Sequence, residues 1–408
     1  MLGNVKDGYS ALLGQNYCYI APALKTYPFQ WFWDTCFHVI ILARLGEHDL
    51  AKRNLRSLFA MQEENGFVGH MIFWHQLLPK RLTDVIQARP TLQALRPHMS
   101  ALVQPPFAAQ ALHTLYESCR DRVYLGEMYA RVRRHHEWLA KNRDFDGDGL
   151  LTIISPFESG MDWKASYDVP LGYTERTTPR RLYTSKLYRK AVGVDLTNFL
   201  LSYRLDKIQE RGRFRVKDAG FNAIYAVDLH CMEKLAVLVG DDPNVFADRR
   251  RRMLQSMLAL MYDERSAAFL DVHQPGSRKI PILTPTIFFP LAIEELDQSI
   301  AERILDRHFD DERKFAAPLP MPSVEMRDPA FFTGETPFIW RGPTWAPTNW
   351  FLYHALKKRG FSERAGRLRA SLTELVAASG FREYYDPFSG EGHGARDFTW
   401  SGLVLDMT

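Results

Sequence analysis

The sequence predicts an all-α protein built from antiparallel helical hairpins. Three observations carry that reading. Apolar residues recur at helical spacing through most of the chain, a helix–glycine–cap–helix joint appears three times, and no stretch of linker composition divides the chain. The first hairpin is "DTCFHVIILARLG", with Phe37, Ile40, Ile41 and Leu45 on one face, followed by "DLAKRNLRSLFAMQ", with Leu50, Leu55, Leu58 and Phe59. Gly46 ends the first helix, and Glu47-His48-Asp49 starts the second. Further helices are expected over roughly 104–119, 125–141, 184–210, 218–239 and 291–308. In the second joint Gly240 is followed by Asp242 as cap and Pro243 as first-turn proline. In the third, Lys357, Lys358 and Arg359 precede Gly360, with Ser362 as cap. Strand-like pieces are short, as in "AAFLDVHQ" (267–274). The expected arrangement is one all-α domain over 1–408, with the chemistry in its longer loops. Hairpins set in a ring bring alternate loops together at one end, which makes a natural cleft.

Composition narrows the function. The 408 residues are 46% hydrophobic, ample for a large core, and toroidal or barrel domains reach this length as one unit. A net charge of +4, with cations and anions interspersed, argues against nucleic acid as the main partner. Four cysteines (Cys18, Cys36, Cys119, Cys231) without CxxC spacing read as reduced, mostly buried thiols. The start of the chain has no charged segment followed by an apolar one, and no apolar run is long enough to span a bilayer. A soluble, cytoplasmic protein with no membrane partner is expected. The 13% aromatic content suits clefts where flat apolar faces meet polar edges.

Four loops combine aromatic, acidic and glycine or proline residues: "YPFQWFWDTCF" (27–37), "FESGMDWKASYD" (157–168), "ETPFIWRGPTWAPTNW" (335–350) and "FREYYDPFSGEGHGARDFTW" (381–400). Their aromatics either plug the ring or line a binding cleft. Asp162 and Glu383 are the two carboxylates to pair, each flanked by large side chains (Met161 and Trp163; Tyr384 and Tyr385). Desolvation raises a carboxyl pKa, so one could hold a proton near neutrality while a second activates water. That is the inverting glycosidase arrangement, with roughly 6.5–9.5 Å between the carboxyl groups. A helix cap or loop hydrogen bond is the other reading of Asp162.

The segment "ESGMDW" resembles the "ESGWDF" signature of α,α-trehalases and its counterpart in glycoside hydrolase family 63. "YPFQWFWD", "WRGPTWAPTNW" and "REYYDPFSGEGHGARDFTWSG" resemble segments of family 63 in the same order, as do "LVQPP" (102–106) and "MYDERSAAFLDV" (261–272). The likeness is greatest to the short bacterial members, the mannosylglycerate and glucosylglycerate hydrolases. It implies an (α/α)6 barrel with long active-site loops, and an inverting α-glycosidase acting on a small α-linked glucoside or mannoside. Asp162 would be the general acid and Glu383 the general base. Tyr27, Trp31 and Asp34 would border the sugar and aglycone pockets. Gln104, Trp163, Trp340, Arg341, Gly342 and Trp345 would complete or flank the sugar subsite.

The chain departs from the family after "MDW". Residues 164–190 carry Lys164, Arg176, Arg180, Arg181, Lys186, Arg189 and Lys190, either a lid whose cations hold a carboxylate such as glycerate or a solvated loop entering a helix. No cofactor is expected. "DFDGDGLLTIIS" places Asp144, Asp146 and Asp148 as in the start of an EF-hand loop but has Ser155 at the twelfth position, leaving calcium or a plain turn. His135-His136-Glu137 lacks the HExxH pattern of zinc hydrolases, and "DRRRRM" (248–253) reads as a solvated helix face. Two other functions stay open: a trehalase-like hydrolase of α-glucobioses, and a sugar epimerase using His38, His70, His230 or His393.

Overall fold

The computed structural model describes residues 1–11, 13–74, 98–173, 180–334 and 340–408, with backbone only for 180–185. Eleven helices are described: α1 (Phe32–Arg44), α2 (His48–Ala60), α3 (Ala108–Cys119), α4 (Arg122–Arg143), α5 (Arg180–Leu200), α6 (Leu205–Arg211), α7 (Ala219–Val239), α8 (Asn244–Ser256), α9 (Gln298–Ile304), α10 (Ala346–Lys358) and α11 (Ser362–Ser379). Two 3₁₀ segments, Pro285–Ala292 and Thr399–Asp406, act as helices in the packing.

These elements close a ring. α1 packs on α3, α3 on α7, α7 on Pro285–Ala292, that segment on α10, α10 on Thr399–Asp406, and the last back on α1. Outside them lie α2 against α1, α4 against α3, α8 against α7, α9 against Pro285–Ala292, and α11 against α10. The inner elements are apolar because both faces are covered: α1 buries every residue from Phe32 to Ala43. One apolar cluster runs from Tyr17 to Met407 through all six inner elements. Each of the first five inner elements is followed by an outer helix that returns the chain, so these inner elements run parallel. Their N-termini, with the positive ends of their dipoles, gather at one end of the ring.

Several boundaries differ from the sequence reading. The helix expected over 104–119 begins at Ala108, since Pro105 and Pro106 precede it. The 184–210 helix is broken at Ser202 and Tyr203, whose φ values are 53° and 51°, and resumes as α6. The 291–308 helix starts at Gln298, where the Asp297 carboxylate accepts the Ser299 N–H at 2.7 Å; Pro290 belongs to the preceding 3₁₀ segment. Pro243 is the cap residue of α8 and not its first-turn proline, while the Asp242 carboxylate accepts the Asn244 N–H at 2.9 Å. Ser362 is already helical, with Phe361 at the cap. The 267–274 strand is two: Ala268–Phe269 pairs with Tyr262–Asp263, and Val272–His273 pairs with Val216–Lys217 and Arg278–Lys279. In the basic run of α8, Arg250 is buried against Glu233 and Glu295 rather than solvated. No described helix is long and apolar enough to cross a membrane.

Candidate active site

Glu383 lies on the strand Arg382–Tyr385, paired antiparallel with Gly392–Arg396. The register runs from Arg382↔Arg396 to Tyr384↔His393, so Gly394 and Ala395 together oppose Glu383 in a β-bulge. Gly394 takes φ 67°, and a Cβ there would come 2.6 Å from Glu383 Oε2. The bulge aims the Ala395 N–H at Glu383 Oε2 (2.8 Å), while Tyr27 OH donates to Oε1 (2.7 Å). Burial pushes the Glu383 carboxyl above its ordinary value, and these two donors oppose that shift. Trp400 Nε1 donates to the Glu383 carbonyl at 3.0 Å, fixing the strand from behind.

The loop bearing Asp162 is held by four buried ion pairs, made by Glu158, Lys164 and Asp168 with other parts of the ring. Glu158 pairs with Arg143 at the end of α4 and accepts the N–H groups of Val103 (3.0 Å) and Ile154 (2.7 Å). Lys164 pairs with Asp218, the N-cap of α7, and with Asp271 (2.7 Å). Asp168 takes a bidentate contact from Arg341 at 2.6 and 3.0 Å, and Arg341 Nε also donates to the Trp163 carbonyl at 2.8 Å. Burial works against the Lys164 charge, but Asp218 and Asp271 outweigh it and hold its pKa above the ordinary value. Between these anchors Gly160, with φ 73°, lies against the Trp33 indole, where a Cβ would come within 2.6 Å of the ring. Gly160→Ala is expected to destabilise the protein by about 1–3 kcal/mol through overpacking; a denaturant midpoint at the wild-type position would contradict this contact. Asp162 itself is half-buried.

Asp34 stands in the first turn of α1 and is 3% exposed. Burial first, then the charges of Glu383 and Asp162, push its carboxyl up to about 8. Burial and the charges of Glu383, Asp162 and Asp34 likewise push Tyr27 well above its ordinary value. Three carboxylates from three distant segments, a helix start, a loop and a strand, thus share one electrostatic site. Asp34 Oδ1 and Trp31 Nε1 are buried without a hydrogen-bond partner among the described residues, as groups are that await a ligand's hydroxyls. The folded pKa of Asp34 exceeds the unfolded one, so its contribution to stability is complete below about pH 4 and is lost as pH rises towards 8. The stability gained by Asp34→Asn over wild type should therefore grow between pH 5 and 8, by at most about 1.4 kcal/mol per unit, then level off. Parallel pH profiles for the two proteins would contradict this.

A family model described as "Mannosylglycerate hydrolase MGH1-like glycoside hydrolase domain" matches residues 27–401. The chain belongs to this family. Among its glycoside hydrolase relatives, the mannosylglycerate hydrolase of Thermus thermophilus is 28% identical over 95% of each chain. The glucosylglycerate hydrolase of Mycolicibacterium hassiacum is 28% identical over 95% of this chain and 92% of that one. The crystal structure of a Thermus thermophilus family 63 mannosylglycerate hydrolase in complex with Tris and D-glycerate superposes with a TM-score of 0.84, covering 95% of each chain at 28% identity. The ring of paired helices is the (α/α)6 barrel, and the protein is a glycoside hydrolase of family 63.

Within that barrel the residues expected at the sugar divide into two groups. Tyr27, Trp31, Asp34, Asp162 and Glu383 come together, with Tyr27 edge-on to Trp31 at 6.1 Å. Gln104 Oε1 accepts the Trp33 N–H at 3.1 Å and so caps α1. The others support the site. Arg341 grips Asp168 and the Trp163 backbone, and Gly342 passes so close to the Phe332 backbone that no Cβ fits. Trp345 is fully buried, stacked on Trp340 at 3.7 Å and packed against Tyr384 and Trp400, so it offers no face to a sugar. Trp340 and Trp163 are buried too. Trp33, Arg143, Asp218, Asp271, Gly394 and Trp400 are additions. Trp33, Asp271, Gly394 and Trp400 lie within the family-like segments that could have signalled them, whereas Arg143 and Asp218 lie outside those segments.

The basic segment divides in the same way. Lys164 is part of the buried network, not a lid; Arg176 and the side chains of Arg180 and Arg181 lie outside the described residues. Lys186, Arg189 and Lys190 are exposed on α5, and Lys190 Nζ donates to the Gly172 carbonyl at 2.8 Å. In the aspartate-rich loop, fully buried Lys217 pairs with Asp146 (2.7 Å) and Asp148, while Asp144 accepts the N–H groups of Asp148 and Gly149. No cluster of three or more metal-ligating side chains occurs among the described residues. The four histidines do not form an acid–base pair. Burial pushes His38 and His70 down to about 3, against Thr399 and Ser100 respectively. His230 pairs with Glu233 and Glu294, and His393 lies on the Gly392–Arg396 strand.

Proposed function

We propose that this protein is an inverting α-glycosidase that hydrolyses a small α-linked mannoside or glucoside of glycerate. The observation that carries the reading is the grouping of Tyr27, Asp34, Asp162 and Glu383 in one partly desolvated site. Asp162 donates its proton to the glycosidic oxygen as the bond from that oxygen to C1 breaks. Glu383 takes a proton from the water whose oxygen bonds to C1 from the opposite face. The products are the sugar with inverted C1 configuration and the free aglycone hydroxyl; exchange with solvent restores both carboxyl groups. Tyr27 OH and the Ala395 N–H fix the orientation of Glu383, so its basic oxygen meets water in one geometry.

Asp34 Oδ1 and Trp31 Nε1 then take sugar hydroxyls as donor and acceptor partners, which satisfies both buried atoms. Glycerate as the aglycone rests on the family's named relatives and on the D-glycerate complex of one of them. The test is to incubate the enzyme with α-mannosylglycerate, α-glucosylglycerate, trehalose and kojibiose and to quantify released sugar. Turnover of a glycerate glycoside at a kcat/KM at least tenfold above both disaccharides is expected. Preference for trehalose or kojibiose would overturn the aglycone assignment.

A further inference from the structure

The hairpin that carries Glu383 has a second face. Arg382 and Arg396 stand directly opposite each other across it, a placement that is destabilising for like charges. Neighbouring residues on a strand point to opposite faces, so Arg382 lies on the side away from the Glu383 carboxylate. There the two arginines line a cavity of about 460 Å³ with Ser379, Glu391, Gly392 and His393; none of Tyr27, Asp34, Asp162 or Glu383 borders it.

Neither guanidinium has a carboxylate partner among the described residues. Arg382 makes a single hydrogen bond from its guanidinium, a long one (3.4 Å) to the Gly394 carbonyl, and its buried Nε has no partner. Arg364 and Arg367, by contrast, both pair with Asp310. Glu391 lines the same cavity and pairs with neither of them. Two guanidinium groups facing one polar cavity, with a hydroxyl and an imidazole beside them, offer the forked donors that suit oxygen anions.

We propose that this cavity binds a small oxyanion, a phosphate or a carboxylate, between Arg382 and Arg396, with His393 as a further donor. The bound anion joins both strands beside the bulge that presents Ala395 to Glu383.

The test uses the full chain in phosphate-free buffer at constant ionic strength. Inorganic phosphate and, in a parallel series, acetate are titrated against chloride while Tm and heats of binding are recorded. Wild type is expected to show a saturable rise in Tm; a response to phosphate alone assigns the site to phosphates, and one to both assigns it to carboxylates as well. Arg396→Glu places a carboxylate opposite Arg382, so it should raise Tm without phosphate and abolish the response. No response of wild type beyond that to chloride, or an equal response in Arg396→Glu, would overturn the proposal.

Discussion

Replacing Glu383 by glutamine lowers kcat by about 10²–10⁴-fold with little change in KM. Glutamine keeps the side-chain shape and can still accept the Tyr27 hydroxyl, yet it cannot take a proton from water. Asp162→Asn should lose a similar factor on glycerate glycosides but recover most of it on a glycoside with an acidic aryl leaving group, which departs without protonation. Glu383→Gln should not recover, because both substrates need an activated water. Steady-state kinetics on the two substrate types checks this. Rescue of Glu383→Gln and not of Asp162→Asn would show that the roles are exchanged, and equal rescue of both would show that they are misplaced.

The second large effect is on stability. Lys164→Met leaves Asp218 and Asp271 buried side by side, and breaking such a pair costs about 3–5 kcal/mol. Burial opposes the charge of Asp218, but Lys164, Tyr167 OH and the Phe221 N–H hold its carboxyl below the usual range. Asp271 is pushed up, by burial first and then by Asp218. Removing the lysine therefore drives proton uptake by the pair, and the variant should be least stable at high pH. Adding Asp218→Asn to Lys164→Met should restore part of the loss, since one fewer charge is left uncompensated. Denaturant unfolding of the single and double variants is the check; an additive double variant would mean that Lys164 and Asp218 do not act as a pair. Because Lys164 is two residues from Asp162, kcat of the single variant should fall as well.

The hairpins were legible because helical periodicity and glycine joints are local signals: Gly46, Gly240 and Gly360 all stand at joints with positive φ. The two 3₁₀ inner elements were not. Pro285–Ala292 and Thr399–Asp406 are short and mostly buried, so they lack the polar stripe that marks an amphipathic helix. At the site, Asp162 and Glu383 were legible through the motifs around them, and Asp34 and Tyr27 through theirs. The ion pairs that hold the Asp162 loop were not, since Arg143, Asp218, Asp271 and Arg341 reach it from separate parts of the ring. The burial of Trp345 was not legible for a related reason. A tryptophan in a loop reads as exposed until Trp340, Tyr384 and Trp400 are found packed around it.

The most direct test of the acid–base pair is the anomeric configuration of the sugar first released, followed by proton NMR within the first minutes of hydrolysis of α-mannosylglycerate or α-glucosylglycerate. Water activated by Glu383 on the face opposite the leaving group yields the β-anomer first, with the α-anomer appearing only by mutarotation. Initial release of the α-anomer would contradict this account of Asp162 and Glu383.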